Sequence, residues 1–181
     1  MAKIYSAYIK LLVIEKKLNI KIMKKFQILF MIYFVAITLN AQETHHSGKV
    51  TEEELIFFKK NYNWNSQKIL IINFLQPKYN CHYDAYKNIK KSKSWWTKFY
   101  KEIDLKNIAN RFVYSDYNVI KKVVDSETFF LDKEEFILKH FFLNEPYCHG
   151  ILIINQSGNY EQKSSEYLKE DITEFITRLS N

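Results

Sequence analysis

Two cysteine–histidine pairs, Cys81-His82 and Cys148-His149, carry the side chains of this sequence that are best suited to chemistry. A cysteine thiolate is a strong nucleophile and a soft metal ligand, and a neighbouring imidazole can transfer a proton or bind a metal. The sequence contains no other cysteine. In an oxidising compartment an even pair can form one disulfide, so reactive and purely structural roles are both open.

The first pair follows the segment around which the chain is organised, Lys68 to Tyr83. Its apolar run, Ile69 to Phe74, is rich in β-branched residues and predicts a strand buried on both faces of a parallel or mixed sheet. Pro77 ends the strand, and amphipathic helical spacing follows Cys81 as far as Ile103. The sequence thus predicts a thiol where a central strand passes into a helix.

The rest of the chain predicts a mixed α/β order. Thr51 to Glu54 is a capping-box pattern that opens a short helix, and the polar stretch 42–48 before it predicts a mobile tail. The other predicted elements are strands at 111–115, 151–155 and 159–163, a short extended piece at 128–131, and helices at 133–142 and 166–179. Short crossovers make the first two strands parallel, and the last two form an antiparallel hairpin with 159–163 at the sheet edge.

The positive charge of the chain is concentrated in residues 1–41. The formal net charge is +7, but this leader holds seven lysines and a single acidic residue. The remainder holds 20 basic and 19 acidic residues. A nucleic-acid surface needs clustered cations on the folded part, so the near-neutral remainder argues against a nucleic-acid partner.

Residues 23–41 have the layout of a signal peptide. Lys24 and Lys25 form the basic end, Phe26 to Leu39 is the apolar core, and Ala41 offers a small residue for cleavage. Its form resembles the signal peptides of Bacteroidota. We expect a periplasmic or secreted protein, with residues 1–22 as an upstream extension. The alternative is a membrane anchor made by an uncleaved 23–41 segment, and that leader is the only expected link to a membrane.

The element order and three stretches of sequence resemble the thioredoxin-like superfamily, in particular its exported, TlpA-like thiol oxidoreductases. The stretches are Lys68 to Cys81, Thr128 to His140, and the hairpin, in which Asn155 takes the usual Asp position and Gly158 lies at the turn. The resemblance implies an α/β three-layer sandwich, with a central mixed sheet of about four strands and helices on both faces. It assigns this domain to 67–181, after a tail and short helix at 42–66.

The same resemblance implies where a site would lie. The family carries Cys-x-x-Cys at its helix start; Cys81 takes the first position, and Asp84 stands where the second cysteine would be. The position of the family's cis proline falls on His149, with Pro146 nearby, and we expect a trans bond at His149 because a non-proline cis bond costs about 3 kcal/mol. In this fold the two loops face each other, so both Cys-His pairs would converge, with His82 among the lining residues.

Three functions are compatible with that convergence. In the first, a Cys81 thiolate at a helix start attacks a substrate disulfide or peroxide, and Cys148 resolves the product. This is the chemistry of a thiol-disulfide oxidoreductase or thiol peroxidase that acts on protein thiols. In the second, copper or zinc is bound by Cys81, His82, Cys148 and His149. In the third, the protein is a redox-inactive module that binds a peptide or protein partner. No Gly-rich phosphate loop, nucleophile elbow or zinc-protease motif occurs, and we expect no cofactor.

Overall fold

A computed structural model describes Gln27 and residues 45–76, 89–121, 123–143 and 147–180. The chain divides into two units, Met1–Glu43 and Thr44–Asn181. All the strands and helices given below belong to the second unit. Apart from Gln27, the predicted extension and signal peptide lie outside the described residues. Within the described ranges, no helix is both long enough and apolar enough to cross a bilayer.

The structure is α/β and is built on a mixed sheet of six strands. The strands are β1 (His45–Lys49), β2 (Ile69–Leu75), β3 (Ile108–Tyr114), β4 (Phe129–Leu131), β5 (His149–Asn155) and β6 (Asn159–Ser164). Their order across the sheet is β1-β6-β5-β2-β3-β4. The pairs β2·β3 and β3·β4 are parallel, and the other pairs are antiparallel.

Helical segments connect these strands. The α-helices are α1 (Glu52–Asn61), α2 (Ile89–Phe99), α3 (Tyr117–Ile120) and α4 (Lys169–Ser180). Single 3₁₀ turns occupy Tyr100–Glu102 and Lys133–Glu135, and a π-helical turn occupies Leu138–Phe142. The predicted capping box forms, because Thr51 Oγ1 accepts from Glu54 N at 3.2 Å and Glu54 Oε2 accepts from Thr51 N at 2.8 Å.

Strand β2 is the buried centre of the sheet, as the apolar run predicted. All seven of its residues are buried, and alternate side chains pack into two separate clusters. Ile71 and Leu75 belong to the cluster that α2 and α4 cover. Ile72 and Phe74 belong to the cluster covered by α1 and the helical turns of residues 133–142. Helices on both faces therefore keep this strand from water, which explains why it lacks a polar alternation.

The expectation of about four strands was wrong, since the sheet has six. One addition is β4, the short piece expected at 128–131, which pairs with β3. The other is β1, which falls in the stretch expected to be a mobile tail. It pairs antiparallel with β6, from His45↔Lys163 to Lys49↔Asn159, so β6 lies inside the sheet rather than at its edge. Four of the five β1 residues are exposed, and an exposed edge strand shows no apolar alternation to reveal it.

The parallel first pair and the antiparallel final hairpin are both confirmed. Leu75 at the end of β2 lies between Tyr114 of β3 and His149 of β5. The hairpin turns at Gly158, whose φ of +86° is the left-handed conformation expected there. The ends of β2 and β3 and the start of β5 therefore lie together at one end of the strands, which we call the strand-end edge of the sheet.

The helix predicted at 133–142 is broken near its start, where a 3₁₀ turn at Lys133–Glu135 precedes the π-helical turn at Leu138–Phe142, beside a buried carboxylate. Asp132 is buried, and its two oxygens accept from Ile137 N and Leu138 N, each at 2.9 Å. To reach them, the chain passes through Glu134 and Glu135 with φ near +60°. His140 is exposed and bonds through Nδ1 to Phe136 O at 2.9 Å.

The environment of Asp132 favours its protonated form. Burial raises the pKa of this carboxyl, and the charge of Glu135 adds to the rise, although the N–H donors of Ile137 and Leu138 and the Tyr62 hydroxyl oppose it. Because folding raises the pKa, this group's contribution to stability is fully present below its unfolded pKa. That contribution is lost as pH rises through its folded pKa.

Replacing Asp132 by asparagine is expected to destabilise the protein by about 1–3 kcal/mol at about pH 4, because the amide presents a single acceptor to two buried N–H groups. The variant does not titrate here, so its deficit relative to the native protein should shrink as pH rises towards 7. Urea unfolding across this pH range measures the difference in free energy of unfolding. A deficit that grows with pH would contradict the argument.

Candidate functional site

Cys148 lies where β5 begins, beside the end of β2. The backbone N–H of Gln76 donates to Cys148 O at 2.7 Å, and Ser165 N donates to His149 O at 3.2 Å. Cys148 is half-buried and is disulfide-bonded. The Gln76 side chain is buried and donates through Nε2 to Phe142 O at 3.2 Å. Main-chain hydrogen bonds from Gln76 and Ser165 therefore hold this disulfide-bonded cysteine and the adjacent His149 at the strand-end edge of the sheet.

Four of the predicted site residues, Cys81, His82, Asp84 and Pro146, lie outside the described residues. The other two, Cys148 and His149, are adjacent on the strand-end edge just described. The trans peptide bond expected at His149 is confirmed, because the described chain contains no cis peptide bond.

The His149 ring is half-buried in an aromatic cluster on the α2–α4 side of the sheet. Its centroid lies 6.2 Å from that of Trp96 and 6.1 Å from that of Tyr167, both edge-to-face. Trp96 and Tyr167 are themselves stacked with centroids 5.5 Å apart. Aromatic pairs at these distances contribute beyond simple area burial. These contacts hold the imidazole beside Cys148.

A buried polar network lies directly beneath this cluster and was missed by the sequence analysis. Asn73, on the central strand, is fully buried. Its Oδ1 accepts from the hydroxyls of Tyr100 at 2.5 Å and Tyr167 at 2.8 Å. Its Nδ2 donates to Asn110 Oδ1 at 2.6 Å and to Arg111 O at 3.0 Å. All four hydrogen-bonding positions of this amide are thereby used.

The network connects the sheet to both covering segments. Tyr100 directly follows α2, Tyr167 precedes α4, and Asn73 on the central strand bonds to both. Burial raises the pKa of Tyr100 well above its ordinary range, so its hydroxyl keeps its proton and acts as a donor. Since Tyr167 also packs on the His149 ring, the position of that imidazole depends on the Asn73 amide. The one signal in the sequence was an asparagine placed inside an otherwise apolar strand.

A metal centre would have to be built from the Cys-His pairs. Among the described residues, no group of three or more His, Cys, Asp or Glu side chains is placed to hold a metal ion. Only Cys148 and His149 of the four proposed ligands are described. A sulfur in a disulfide is not a thiolate, so metal binding of the kind expected from the sequence requires the reduced protein.

A charged cluster lies around the edge strand β1, where the sequence predicted a tail. The ring of His45 stacks on Phe175 with centroids 4.9 Å apart and bonds through Nε2 to Glu161. Lys163 Nζ donates to Asp171 Oδ2 at 2.8 Å. Partial burial raises the pKa of Asp171, but the Leu168 N–H and Lys163 outweigh it and hold that pKa below its usual value. These contacts attach β1 to α4.

Comparison of the chain with known protein families and with curated proteins found no match.

Proposed function

We propose that this chain is a thioredoxin-like protein that exchanges thiols and disulfides through Cys81 and Cys148, with these two cysteines forming the disulfide. The observation that carries the proposal is that Cys148 is disulfide-bonded beside Gln76. The segment that leads to Cys81 begins directly after Gln76. The parallel pair β2·β3, the antiparallel hairpin β5·β6 and the final helix α4 also support it, because the resemblance to the superfamily implies that order.

The exchange can be written with its atoms and electrons balanced. A substrate thiolate attacks Cys81 Sγ, a mixed disulfide forms, and the Cys148 sulfur leaves as a thiolate that takes up a proton. A second substrate thiolate then attacks the substrate sulfur of the mixed disulfide, and Cys81 leaves as a thiolate. The substrate loses two electrons and gains a disulfide, while the protein is reduced to two thiols. The reverse sequence reduces a substrate disulfide.

His149 is proposed as a positioning and electrostatic residue in this cycle. Its imidazole is fixed beside Cys148 by Trp96 and Tyr167. A nearby imidazolium stabilises a thiolate and lowers its pKa. Replacing His149 should therefore raise the pKa of the thiol released during exchange, and a purely structural disulfide would show no such dependence.

The proposal predicts that the oxidised protein oxidises a dithiol peptide and that either Cys81→Ser or Cys148→Ser abolishes this activity. In Cys148→Ser, the remaining thiol should be alkylated with an apparent pKa below about 8.5, the value of an ordinary cysteine. The measurements are peptide oxidation followed by mass spectrometry and iodoacetamide alkylation against pH. His149→Gln should shift the alkylation profile to higher pH.

Two results would contradict this function. An alkylation profile of an ordinary, slow thiol, unchanged by His149→Gln, would remove the enzymatic role and leave a binding module with a structural disulfide. Stoichiometric copper or zinc in the reduced, untagged protein, lost in Cys148→Ser, would favour the metal-binding alternative.

A further inference from the structure

The outer face of α2 and of the turn that follows is basic and carries one exposed tryptophan. Its exposed residues include Lys90, Lys91, Trp95, Lys98, Lys101 and Glu102. Trp95 is 55% exposed, whereas its neighbour Trp96 is buried. The apolar side of α2 is thus used inside the domain, and the lysines with Trp95 remain on the outer face.

The lysines of this face are not neutralised by the carboxylates that the structure describes. Glu102 is paired with Lys169 Nζ, so its carboxylate is already occupied. Lys93 points elsewhere, 3.8 Å from Asp125 and 4.1 Å from the Phe129 ring. In the part of the chain that the structure describes, no carboxylate forms an ion pair with Lys91, Lys98 or Lys101. Among the described residues, an anionic partner would therefore displace no salt bridge of these three lysines.

Trp95 is held rigidly although it is exposed. Its ring stacks on Phe99 with centroids 5.1 Å apart and meets Trp96 edge-to-face at 4.6 Å. Lys169 Nζ lies over the ring of Phe99, 5.6 Å from its centroid. The preceding residue, Leu168, is 64% exposed. An aromatic side chain that is ordered before binding loses little entropy on contact, which is typical of binding hot spots.

We propose that this outer face of α2 binds an acidic polypeptide segment with an apolar residue at its centre. Lys91 and Lys101 are separated by about 15 Å along the axis, which an extended segment of about five residues spans. Acidic side chains at its two ends would pair with the lysines, and the central side chain would pack on Trp95.

The arrangement favours a polypeptide over a lipid surface. A helix that lies on a bilayer inserts a continuous apolar face, and that face of α2 is buried in the domain core. What remains outside is a single apolar anchor between cations, which matches one side chain flanked by carboxylates. The inference does not depend on thiol exchange, because it concerns binding alone.

The test is fluorescence anisotropy of a labelled peptide with a central leucine between pairs of glutamates, titrated with the oxidised full-length protein. Trp95→Ala and Lys98→Glu are each expected to weaken binding about tenfold. Matched controls are Lys60→Glu, an exposed lysine on α1, and Tyr117→Ala, whose ring is 59% exposed. The controls should change the affinity less than about twofold, and added salt should weaken binding.

Three outcomes overturn the proposal. The first is equal weakening by the control substitutions, and the second is equal affinity for a peptide with lysines in place of the glutamates. The third is retention of the protein on phosphatidylglycerol vesicles, abolished by Lys98→Glu, with no binding of the acidic peptide. Circular dichroism of each variant checks that the fold is kept, so that loss of binding reports on the surface itself.

Discussion

Replacing Cys148 by serine is expected to lower the free energy of unfolding by about 4 kcal/mol. The reason is that Cys148 is disulfide-bonded. If its partner is Cys81, as proposed, the bond closes a loop of roughly 65–70 residues, and opening it gives the unfolded chain more conformational freedom. Guanidinium unfolding of the oxidised native protein and the variant measures the difference.

The pairing itself is tested by non-additivity. Cys81→Ser should cause the same loss as Cys148→Ser, and the double variant should lose no more than either single one, because all three lack the same cross-link. Reductant should destabilise the native protein by a similar amount and leave the variants unchanged. Additive losses, or a loss below about 1 kcal/mol, would show that the disulfide does not constrain the unfolded chain as argued.

Asn73→Leu is expected to destabilise the protein by about 3–5 kcal/mol despite the similar size of the two side chains. The substitution removes the acceptor of the Tyr100 and Tyr167 hydroxyls. Both tyrosines are buried on the face of the sheet that α2 and α4 cover. An unsatisfied buried hydroxyl retains its full desolvation cost. Thermal and urea unfolding give the free-energy change, and fluorescence of the adjacent Trp96 reports on local repacking.

A double-mutant cycle separates hydrogen bonding from packing. In the Asn73→Leu background, Tyr100→Phe and Tyr167→Phe should recover part of the lost stability, because they remove the stranded hydroxyls. In the native background the same changes should destabilise, because they remove good hydrogen bonds. The argument fails if Asn73→Leu is as stable as the native protein, or if the tyrosine changes act identically in both backgrounds.

The sequence predicted correctly those elements that a local sequence pattern determines. The β-branched run of β2, the capping box at Thr51 and the glycine turn at Gly158 each reflect a local cause, and each is found. Strand β1 escaped prediction because an exposed edge strand is held by main-chain bonds to β6, which impose no pattern on its side chains. The break at the start of the helix predicted at 133–142 escaped because the Asp132 carboxylate accepts from Ile137 N and Leu138 N rather than from the first N–H groups after it.

The candidate site was predictable only in part, for a related reason. Cys148 and His149 stand out by residue type, so their chemistry is readable from the sequence. The Asn73 network is not, because its two tyrosine donors lie 27 and 94 positions away and are brought together only by the packing of α2 and α4. An isolated asparagine in an apolar run signals a buried hydrogen-bonding group, but not which residues satisfy it.

The pairing of the central strand has a consequence for how the protein is made. Residues of β2 bond to β5, as in Leu75↔His149, and β1 bonds to β6, as in His45↔Lys163. A chain emerging from the ribosome would therefore hold its first two strands without their final neighbours until β5 and β6 had been synthesised. Stable tertiary structure should form only after β5 and β6 have left the ribosome, and ribosome-bound fragments that stop before β5 should remain sensitive to protease.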